Sequence, residues 1–312
     1  MLRQDVAQPG LELPKVEARR LDRSPLAAAR DYLALTKPRI IVLLLVTTVP
    51  SMIIAQRGMP SLGLVLLTLL GGALAAGGAN AINCYLDRDI DSIMSRTRER
   101  PLPAGSVEPE RALLFGISLG VVAFVLLAIA VNLVSALLAL AALAFYVFVY
   151  TLWLKRSSPQ NIVIGGAAGA MPPLVGWAAV TGGLDWAALL LFGIIVLWTP
   201  PHFWALALRY RSDYARAGVP MLPAVRGVDE TKRQILLYTV ALVACTLLLV
   251  PVAGMGGLYL ASALFLGAGF LALALRLWRS GTPQASRALF AYSILYLGLL
   301  FASMGLDQLL PA

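Results

Sequence analysis

Long apolar segments alternate with short polar ones along almost the whole chain. Nine of them have the roughly 20 residues that a helix needs to cross a ~30 Å hydrocarbon core, and they lie at 38–57, 61–86, 110–131, 133–154, 161–181, 186–209, 234–252, 256–278 and 287–307. The segments lack the short alternating pattern of membrane β-strands, and a backbone in lipid must satisfy its own hydrogen bonds. The pattern therefore predicts an all-α polytopic membrane protein with nine transmembrane helices.

The distribution of positive charge predicts the orientation of these helices. Of the 25 Lys and Arg residues, 24 fall on one side if nine spans alternate across the membrane. Positive loops stay in the cytoplasm, so the N-terminus is expected to be cytoplasmic and the C-terminus periplasmic. The net charge of +9 is then mostly a topology signal, and we expect no nucleic-acid partner.

Composition supports a membrane protein and says little else about the cellular address. The chain is 59% hydrophobic and 13% charged, with a mean hydropathy of +0.81, well above the apolar content of a soluble domain. Residues 1–30 contain acids and no apolar core, unlike a signal or transit peptide. We expect them to form a flexible cytoplasmic tail, followed by one intramembrane domain at 31–312 in a bacterial inner membrane.

Two cytoplasmic connections, 87–109 and 209–233, are long and charged, so the chemistry is expected there. The first follows Asn83, Asp87 and Asp91, whose i, i+4, i+8 spacing puts all three on one stripe of a helix. Asp89 points elsewhere. Closely spaced carboxylates repel each other at a membrane face, so the stripe predicts a bound cation, and oxygen ligands favour Mg²⁺ bridged to a phosphate.

Basic residues accompany this stripe on the same membrane face. Arg96, Arg98 and Arg100 follow it directly, and the arginine fork suits phosphate or carboxylate. Three more charged clusters lie at the ends of other spans, with the members Lys37, Arg39, Lys155, Arg156, Arg209, Arg211, Asp213, Tyr214 and Arg216. Each cluster alone is more typical of an anchoring charge, and the acids alone are compatible with a solvated loop. Together they indicate an anionic ligand.

Three segments carry a resemblance to a known family: NCYLDRDIDSIMSRTRERPLP, YTLWLKRSSPQNIVIGGAAGAMPPLVGWAAVTG and LWTPPHFWALALRYRSDYARAGVPMLP. From about residue 30 to its end, the chain resembles the protohaem IX farnesyltransferases (haem O synthases), which are UbiA-type intramembrane polyprenyltransferases. The resemblance implies nine helices around a central cavity, with a prenyl diphosphate held through Mg²⁺ near the cytoplasmic face.

The resemblance also assigns roles to individual residues. The metal ligands would be Asn83, Asp87, Asp91 and Asp213, which with Lys155 form the expected catalytic set. The resemblance implies contacts to diphosphate or haem from Arg39, Arg96, Arg100 and Arg156, and Tyr150 and His202 are added to this set for the chemistry of their side chains. One departure from the family is that Asp213 lacks a partner acid, since Arg209 and Ala217 stand four residues on either side. The second site would then bind fewer metals, or none alone.

The implied reaction joins the farnesyl group of farnesyl diphosphate to a vinyl group of haem b, with addition of water, to give haem O for haem-copper oxidases. Haem b is a substrate in this reaction, and membrane lipid, haem A synthase and oxidase assembly proteins are the implied partners. No covalent nucleophile is needed. Aromatic rings can stabilise an allylic cation, and the candidates are Tyr146, Tyr150, Trp198, Phe203 and Trp204.

Two features of the spans leave alternatives open. His202, the only histidine, lies inside a span and is expected either to ligate haem iron or to bond backbone freed by Pro200 and Pro201. Gly165 and Gly169 are expected to permit close helix contact.

Two other functions compete with haem farnesylation. One is prenyl transfer to an aromatic or quinone precursor, which the aspartate stripe does not distinguish. The other is transport of a small anion or lipid, which is disfavoured because transporters place ionisable residues near the midplane, whereas most charges here lie at the cytoplasmic ends of the spans.

Overall fold

The computed structural model describes residues 24–310, and all regular secondary structure in this range is helical. The helices are α1 (Pro25–Thr36), α2 (Pro38–Gln56), α3 (Leu62–Leu86), α4 (Arg88–Ile93), α5 (Pro109–Ala130), α6 (Leu133–Ser157), α7 (Asn161–Thr181), α8 (Trp186–Arg209), α9 (Arg211–Arg216), α10 (Leu222–Val225), α11 (Gly227–Ala253), α12 (Gly257–Ser280) and α13 (Pro283–Asp307). Within the described range, nine of them are long and apolar enough to cross a membrane. The predicted all-α architecture with nine spans is confirmed.

The bounds of most spans agree closely with the apolar segments, and the seventh differs for a physical reason. Helix α11 begins at Gly227, although its apolar run begins at residue 234. Its first turn carries Asp229 and Glu230, which are favourable near the positive end of a helix dipole. The helix therefore begins several residues before the apolar run. The connection predicted at 209–233 is shortened to 210–226.

Helix α7 is the most buried of the nine spans and packs against α2, α6 and α8. Its Pro172 and Pro173 do not break it, and Ser51 of α2 donates to the Pro173 carbonyl at 2.6 Å. A Cβ on Gly176 would lie 2.7 Å from the Thr48 carbonyl oxygen. Close contact with α2 thus supports the region that contains the two prolines.

The two glycines of the predicted contact motif have different surroundings. A Cβ on Gly165 would overlap the Tyr150 ring, so this glycine permits close contact between α7 and α6 as expected. A Cβ on Gly169 would meet nothing within 4 Å, because this residue lines an internal cavity. The second glycine provides space rather than contact.

The start of the chain is described only in part. Residues 1–23 of the predicted tail lie outside the described range, and helix α1 begins at Pro25, with the Ser24 hydroxyl accepting a hydrogen bond from Ala27 N. Residues 25–30, which were assigned to the flexible tail, are therefore helical.

Candidate active site

The predicted stripe of Asn83, Asp87 and Asp91 lies at the junction of α3 and α4. Asp87 N donates to Asn83 O at 2.9 Å and Asp91 N to Asp87 O at 2.7 Å, so helical hydrogen bonding continues across the junction. Asp87 is 0% exposed and Asp91 3%, whereas the Asp89 side chain is 60% exposed. The spacing correctly separates two inward carboxylates from an outward one.

Asp87 has one oxygen fully engaged and one open. Its Oδ2 accepts hydrogen bonds from Asn83 Nδ2 at 2.6 Å and from the Lys155 ammonium. Its Oδ1 is buried and has no hydrogen-bond partner in residues 24–310; Arg156 Nη2 is 3.6 Å away. A buried carboxylate oxygen without a hydrogen bond is costly, so its position is suited to a ligand.

Lys37 belongs to the cluster, although the sequence placed it only among the basic residues at the ends of spans and assigned it no role. It lies between α1 and α2 in a left-handed conformation (φ 56°), and its Nζ donates to Asn83 Oδ1 at 2.7 Å. Burial lowers the pKa of its ammonium group. Arg39, which was predicted to bind diphosphate or haem, is exposed and makes no polar contact within the described part of the chain.

Arg100 supplies the counter-charge for Asp91. Its Nη1 lies 2.8 Å from Asp91 Oδ2, and Thr97 donates to the Asp91 carbonyl at 2.9 Å. These bonds fold the segment after α4 back over the stripe. Arg96 is exposed and lies over the Tyr210 ring, with 5.5 Å between its guanidinium carbon and the ring centroid.

The second polar connection contacts the first through Asp213. This carboxylate is buried, accepts a hydrogen bond from Ser95 and pairs with Arg216. Burial raises the pKa of the neighbouring Tyr214, while the positive charge of Arg96 opposes that shift. The two polar connections are therefore in direct contact.

The acids do not converge into a preformed metal cage. Across residues 24–310, no group of three or more His, Cys, Asp or Glu side chains is placed to hold a metal ion. A metal at the stripe would therefore depend on Asp87, Asp91, the amide of Asn83 and oxygens of a bound ligand.

Arg156 is held by the outward carboxylate rather than by the stripe. Its guanidinium donates to both oxygens of Asp89 at 2.7 and 2.8 Å and to the Leu86 carbonyl at 2.8 Å. The hydrogen bond from Arg156 is the main reason that the pKa of Asp89 falls to about 2. Asp89 thus fastens the end of α6 to the junction of α3 and α4.

Part of α6 is a π-helix, which the sequence reasoning missed. The π-helical hydrogen bonds span Phe145–Leu154. Tyr146 and Lys155 are nine residues apart, which in an α-helix would place them on opposite sides. At about 4.4 residues per turn, a π-helix brings them to nearly the same side. Thr151, on this face, accepts a hydrogen bond from Asn83 at 3.0 Å.

An apolar cavity of about 220 Å³ lies within the bundle near this polar cluster. Tyr146 and Tyr150 line it and stack with their ring centroids 5.3 Å apart. The Tyr146 backbone carbonyl accepts a hydrogen bond from Thr151, whose hydroxyl oxygen in turn accepts one from Asn83. Asn80, one helical turn before Asn83, lines the same end. Most of the remaining lining is aliphatic or glycine, including Ile41, Leu44, Gly72, Ala76, Gly169 and Met171.

The other predicted aromatic residues divide between cavity and packing. Phe203 lines the cavity, whereas Trp198 and Trp204 are buried elsewhere. The Trp204 ring packs edge-on against Tyr238 of α11. Three of the five aromatic candidates, Tyr146, Tyr150 and Phe203, therefore reach the cavity.

His202 faces α13 and is absent from the cavity lining. Its ring is stacked between Trp198 and Phe290, at 4.3 and 4.8 Å between centroids. Its Nδ1 lies 2.7 Å from Ser293 Oγ, which itself donates to the Phe290 carbonyl. A hydroxyl has one proton, so we assign Nδ1–H of His202 as the donor. The partner is thus a side chain of α13 and not the backbone freed by the prolines of α8.

Comparison with known proteins identifies the relatives of the chain. The model of the UbiA prenyltransferase family matches residues 44–302. A "Protoheme IX farnesyltransferase" of Gloeobacter violaceus is 57% identical over 91% of this chain and 93% of its own length. "Protoheme IX farnesyltransferase 1" of Saccharopolyspora erythraea is 58% identical over 89% of each chain. A "Protoheme IX farnesyltransferase" of Roseiflexus sp. is 55% identical over 98% of this chain. That relative is longer, and the match covers 57% of its length.

Solved structures show the same fold at low sequence identity. A digeranylgeranylglyceryl phosphate synthase superposes with a TM-score of 0.75 at 18% identity, over 90% of this chain and 99% of its own. A UbiA homologue from Archaeoglobus fulgidus, bound to DMAPP and Mg²⁺, superposes with a TM-score of 0.60 at 18% identity, over 88% and 99%. The family model and the relatives show that the chain belongs to the UbiA prenyltransferase family, and its nine apolar helices within the described residues show a multi-pass membrane protein.

Proposed function

We propose that the chain transfers the farnesyl group of farnesyl diphosphate to a vinyl group of haem b, with addition of water, to give haem O and diphosphate. The observation that carries this proposal is an apolar cavity, lined by Asn80 and Tyr146, one helical turn from the buried cluster of carboxylates and cations that begins at Asn83. An isoprenoid chain fits the apolar part, and a diphosphate fits the charged end. The relatives named protoheme IX farnesyltransferase support haem b over a quinone precursor as the acceptor.

The donor set at the stripe fits Mg²⁺. Asp87 and Asp91 would hold the ion together with the amide oxygen of Asn83, because Mg²⁺ prefers oxygen ligands and commonly bridges one or two carboxylates to phosphate. The buried Oδ1 of Asp87, which has no hydrogen bond in the described residues, is the atom best suited to this role. Asp213 is a further proposed ligand from the second connection. When bound, Mg²⁺ neutralises charge on the diphosphate.

The cations of the site would stabilise the departing diphosphate. As the bond between C1 of farnesyl and oxygen breaks, negative charge develops on diphosphate. Lys155 and Arg100 pair with Asp87 and Asp91, which would hold Mg²⁺, and Lys37 contacts Asn83. Such charges act strongly because the site is already organised and shielded from water. Arg96 is proposed as a more exposed contact, while Arg156 would support the site through Asp89.

The cavity would stabilise the allylic cation, which forms when the diphosphate leaves. The faces of Tyr146 and Tyr150 are available to the allylic cation, and each cation–π contact is worth about 0.5–2 kcal/mol. The aliphatic lining keeps water from the cation before the vinyl group of haem forms the new carbon–carbon bond. Water then adds to the other vinyl carbon and loses a proton. Positioning and electrostatics are sufficient for this sequence.

His202 does not line the cavity, so a haem that contacts it, as proposed, would bind partly in a second region of the bundle. Donation from Nδ1 to Ser293 leaves Nε2 as the nitrogen with a free lone pair, which is the form of imidazole that ligates iron. Because the ring faces α13, a porphyrin bound there would approach between α8 and α13 while its vinyl group reaches the cavity.

The decisive experiment uses the purified full chain in lipid nanodiscs with haem b, farnesyl diphosphate and Mg²⁺. We expect a porphyrin product heavier by one farnesyl group and one water, detected by mass spectrometry and absent when EDTA is added. Prenylation of 4-hydroxybenzoate without change to haem would contradict the proposal.

We place the enzyme in a bacterial inner membrane with its N-terminus in the cytoplasm, where haem A synthase or oxidase assembly proteins would receive haem O.

A further inference from the structure

Both carboxylates of the stripe are already neutralised by cations of the chain. Lys155 pairs with Asp87, and Arg100 Nη1 lies 2.8 Å from Asp91 Oδ2. The two carboxylate side chains are 1% and 4% exposed, so these pairs are poorly screened by water. A metal ion that binds the open Oδ1 of Asp87, or Asp91, therefore enters a site whose negative charge is already balanced by Lys155 and Arg100.

The charge balance of the cluster makes a metal alone unfavourable. The cluster contains two carboxylates, their partners Lys155 and Arg100, and a third cation, Lys37, bound to Asn83, which leaves a net charge of +1. Adding a divalent ion would raise this to +3 inside a buried site. A prenyl diphosphate carries about three negative charges near neutral pH, so the metal and the diphosphate together return the cluster to about zero.

The two counter-ions are able to change partners. Side-chain exposure is 14% for Lys155 and 30% for Arg100, and both are long side chains with several rotatable bonds. Ammonium and guanidinium groups bind phosphate oxygens as readily as carboxylates. The same groups that neutralise the empty carboxylates are thus suited to hold a diphosphate beside them.

We infer that Lys155 and Arg100 are internal counter-ions that move from Asp87 and Asp91 to the diphosphate as the metal arrives, so that metal and diphosphate bind as a pair. The inference rests on the proposed function and adds to it a mechanism for ligand binding. It means that the enzyme holds metal weakly until diphosphate is present. By thermodynamic linkage, each ligand raises the affinity of the other by the same factor.

Binding of Mn²⁺ to the full chain in nanodiscs tests this inference without any turnover. The EPR signal of free Mn²⁺ is followed during titration, with and without inorganic diphosphate, after correction for Mn²⁺ that binds diphosphate in solution. We expect the affinity for Mn²⁺ to rise at least 100-fold when diphosphate is present. Equal affinity under both conditions would overturn the inference.

Two variants separate the counter-ion role from a structural one. In Lys155→Met, Asp87 loses its competitor, so Mn²⁺ alone should bind at least tenfold more tightly while the enhancement by diphosphate shrinks. Arg100→Gln should act in the same direction through Asp91. The matched control is Lys232→Met, which removes an equal charge from a pair with the exposed Asp229 and should leave Mn²⁺ binding unchanged.

The outcomes distinguish this inference from the function on which it rests. Weaker binding of Mn²⁺ alone in both Lys155→Met and Arg100→Gln would overturn the counter-ion role, even if the unsubstituted chain farnesylates haem as proposed. Conversely, paired binding of Mn²⁺ and diphosphate without any farnesylated haem would uphold the inference and contradict the choice of acceptor.

Discussion

The substitution Asp87→Asn should separate the contribution of this carboxylate to stability from its contribution to catalysis. The change keeps the size of the side chain and removes its charge, which leaves the Lys155 ammonium, 14% exposed, without its ion-pair partner. Two unit charges about 4 Å apart interact by about 4 kcal/mol at an effective dielectric constant near 20. Removal of one member of a buried pair typically costs about 3–5 kcal/mol.

We therefore expect Asp87→Asn to lower stability by about 3 kcal/mol, or roughly 10 °C in Tm, measured at one scan rate in nanodiscs. Adding Lys155→Met removes the stranded charge and should restore at least half of the lost stability. Farnesyl transfer should fall by about 1,000-fold in the single variant, comparable to removal of a strong electrostatic contact in a transition state, and should not recover in the double variant.

The matched control is Asp89→Asn, since Asp89 pairs with Arg156 at the surface and its side chain is 60% exposed. Exposed pairs contribute less than about 1 kcal/mol, so the loss of stability should be small. Near-normal turnover in Asp87→Asn would refute the catalytic role of this carboxylate. Failure of Lys155→Met to restore any stability would refute the stranded-charge explanation.

Further predictions concern the rest of the site. Lys37→Met should raise KM for farnesyl diphosphate at least tenfold in steady-state assays, and an unchanged KM would exclude contact with diphosphate. Gly165→Ala should force the Tyr150 ring from its place and lower kcat more than Tm, whereas equal losses would indicate a packing role only. His202→Ala should shift the absorption spectrum of bound haem if the imidazole ligates iron, and an unchanged spectrum would reject ligation. The pKa of Asp89 is lowered from 3.8 to about 2, so its small stabilising effect should persist above pH 3.8 and disappear as pH falls through 2, which pH-dependent melting of wild type and Asp89→Asn would show.

The nine spans and the aspartate stripe could be predicted because each depends on neighbouring residues alone. Bilayer thickness fixes the length of an apolar run, and the helical repeat fixes which of Asp87, Asp89 and Asp91 share a face. The start of α11 at Gly227 could not be found in this way, because hydropathy does not report a helical turn made of charged residues.

The remaining parts of the site depend on contacts between distant segments. Lys37 reaches Asn83 across 46 positions of sequence, and Arg156 reaches Asp89 across 67. In sequence, Lys37 and Arg39 are equivalent basic residues beside a proline; only the left-handed turn at Lys37 distinguishes the inward residue from the outward one. The face of α8 that carries His202 is likewise decided by packing against α13.

The π-helical stretch of α6 makes the number of residues in this helix part of the site. If the segment Phe145–Leu154 were regular α-helix, Lys155 would point about 180° away from Tyr146. Deleting or inserting one residue there would turn everything that follows by roughly a quarter of a turn while leaving every side chain of the cluster chemically intact. Substitution and deletion therefore probe different things in α6: the first tests what a residue does, and the second tests the spacing that brings an ammonium group and an aromatic face to the same substrate.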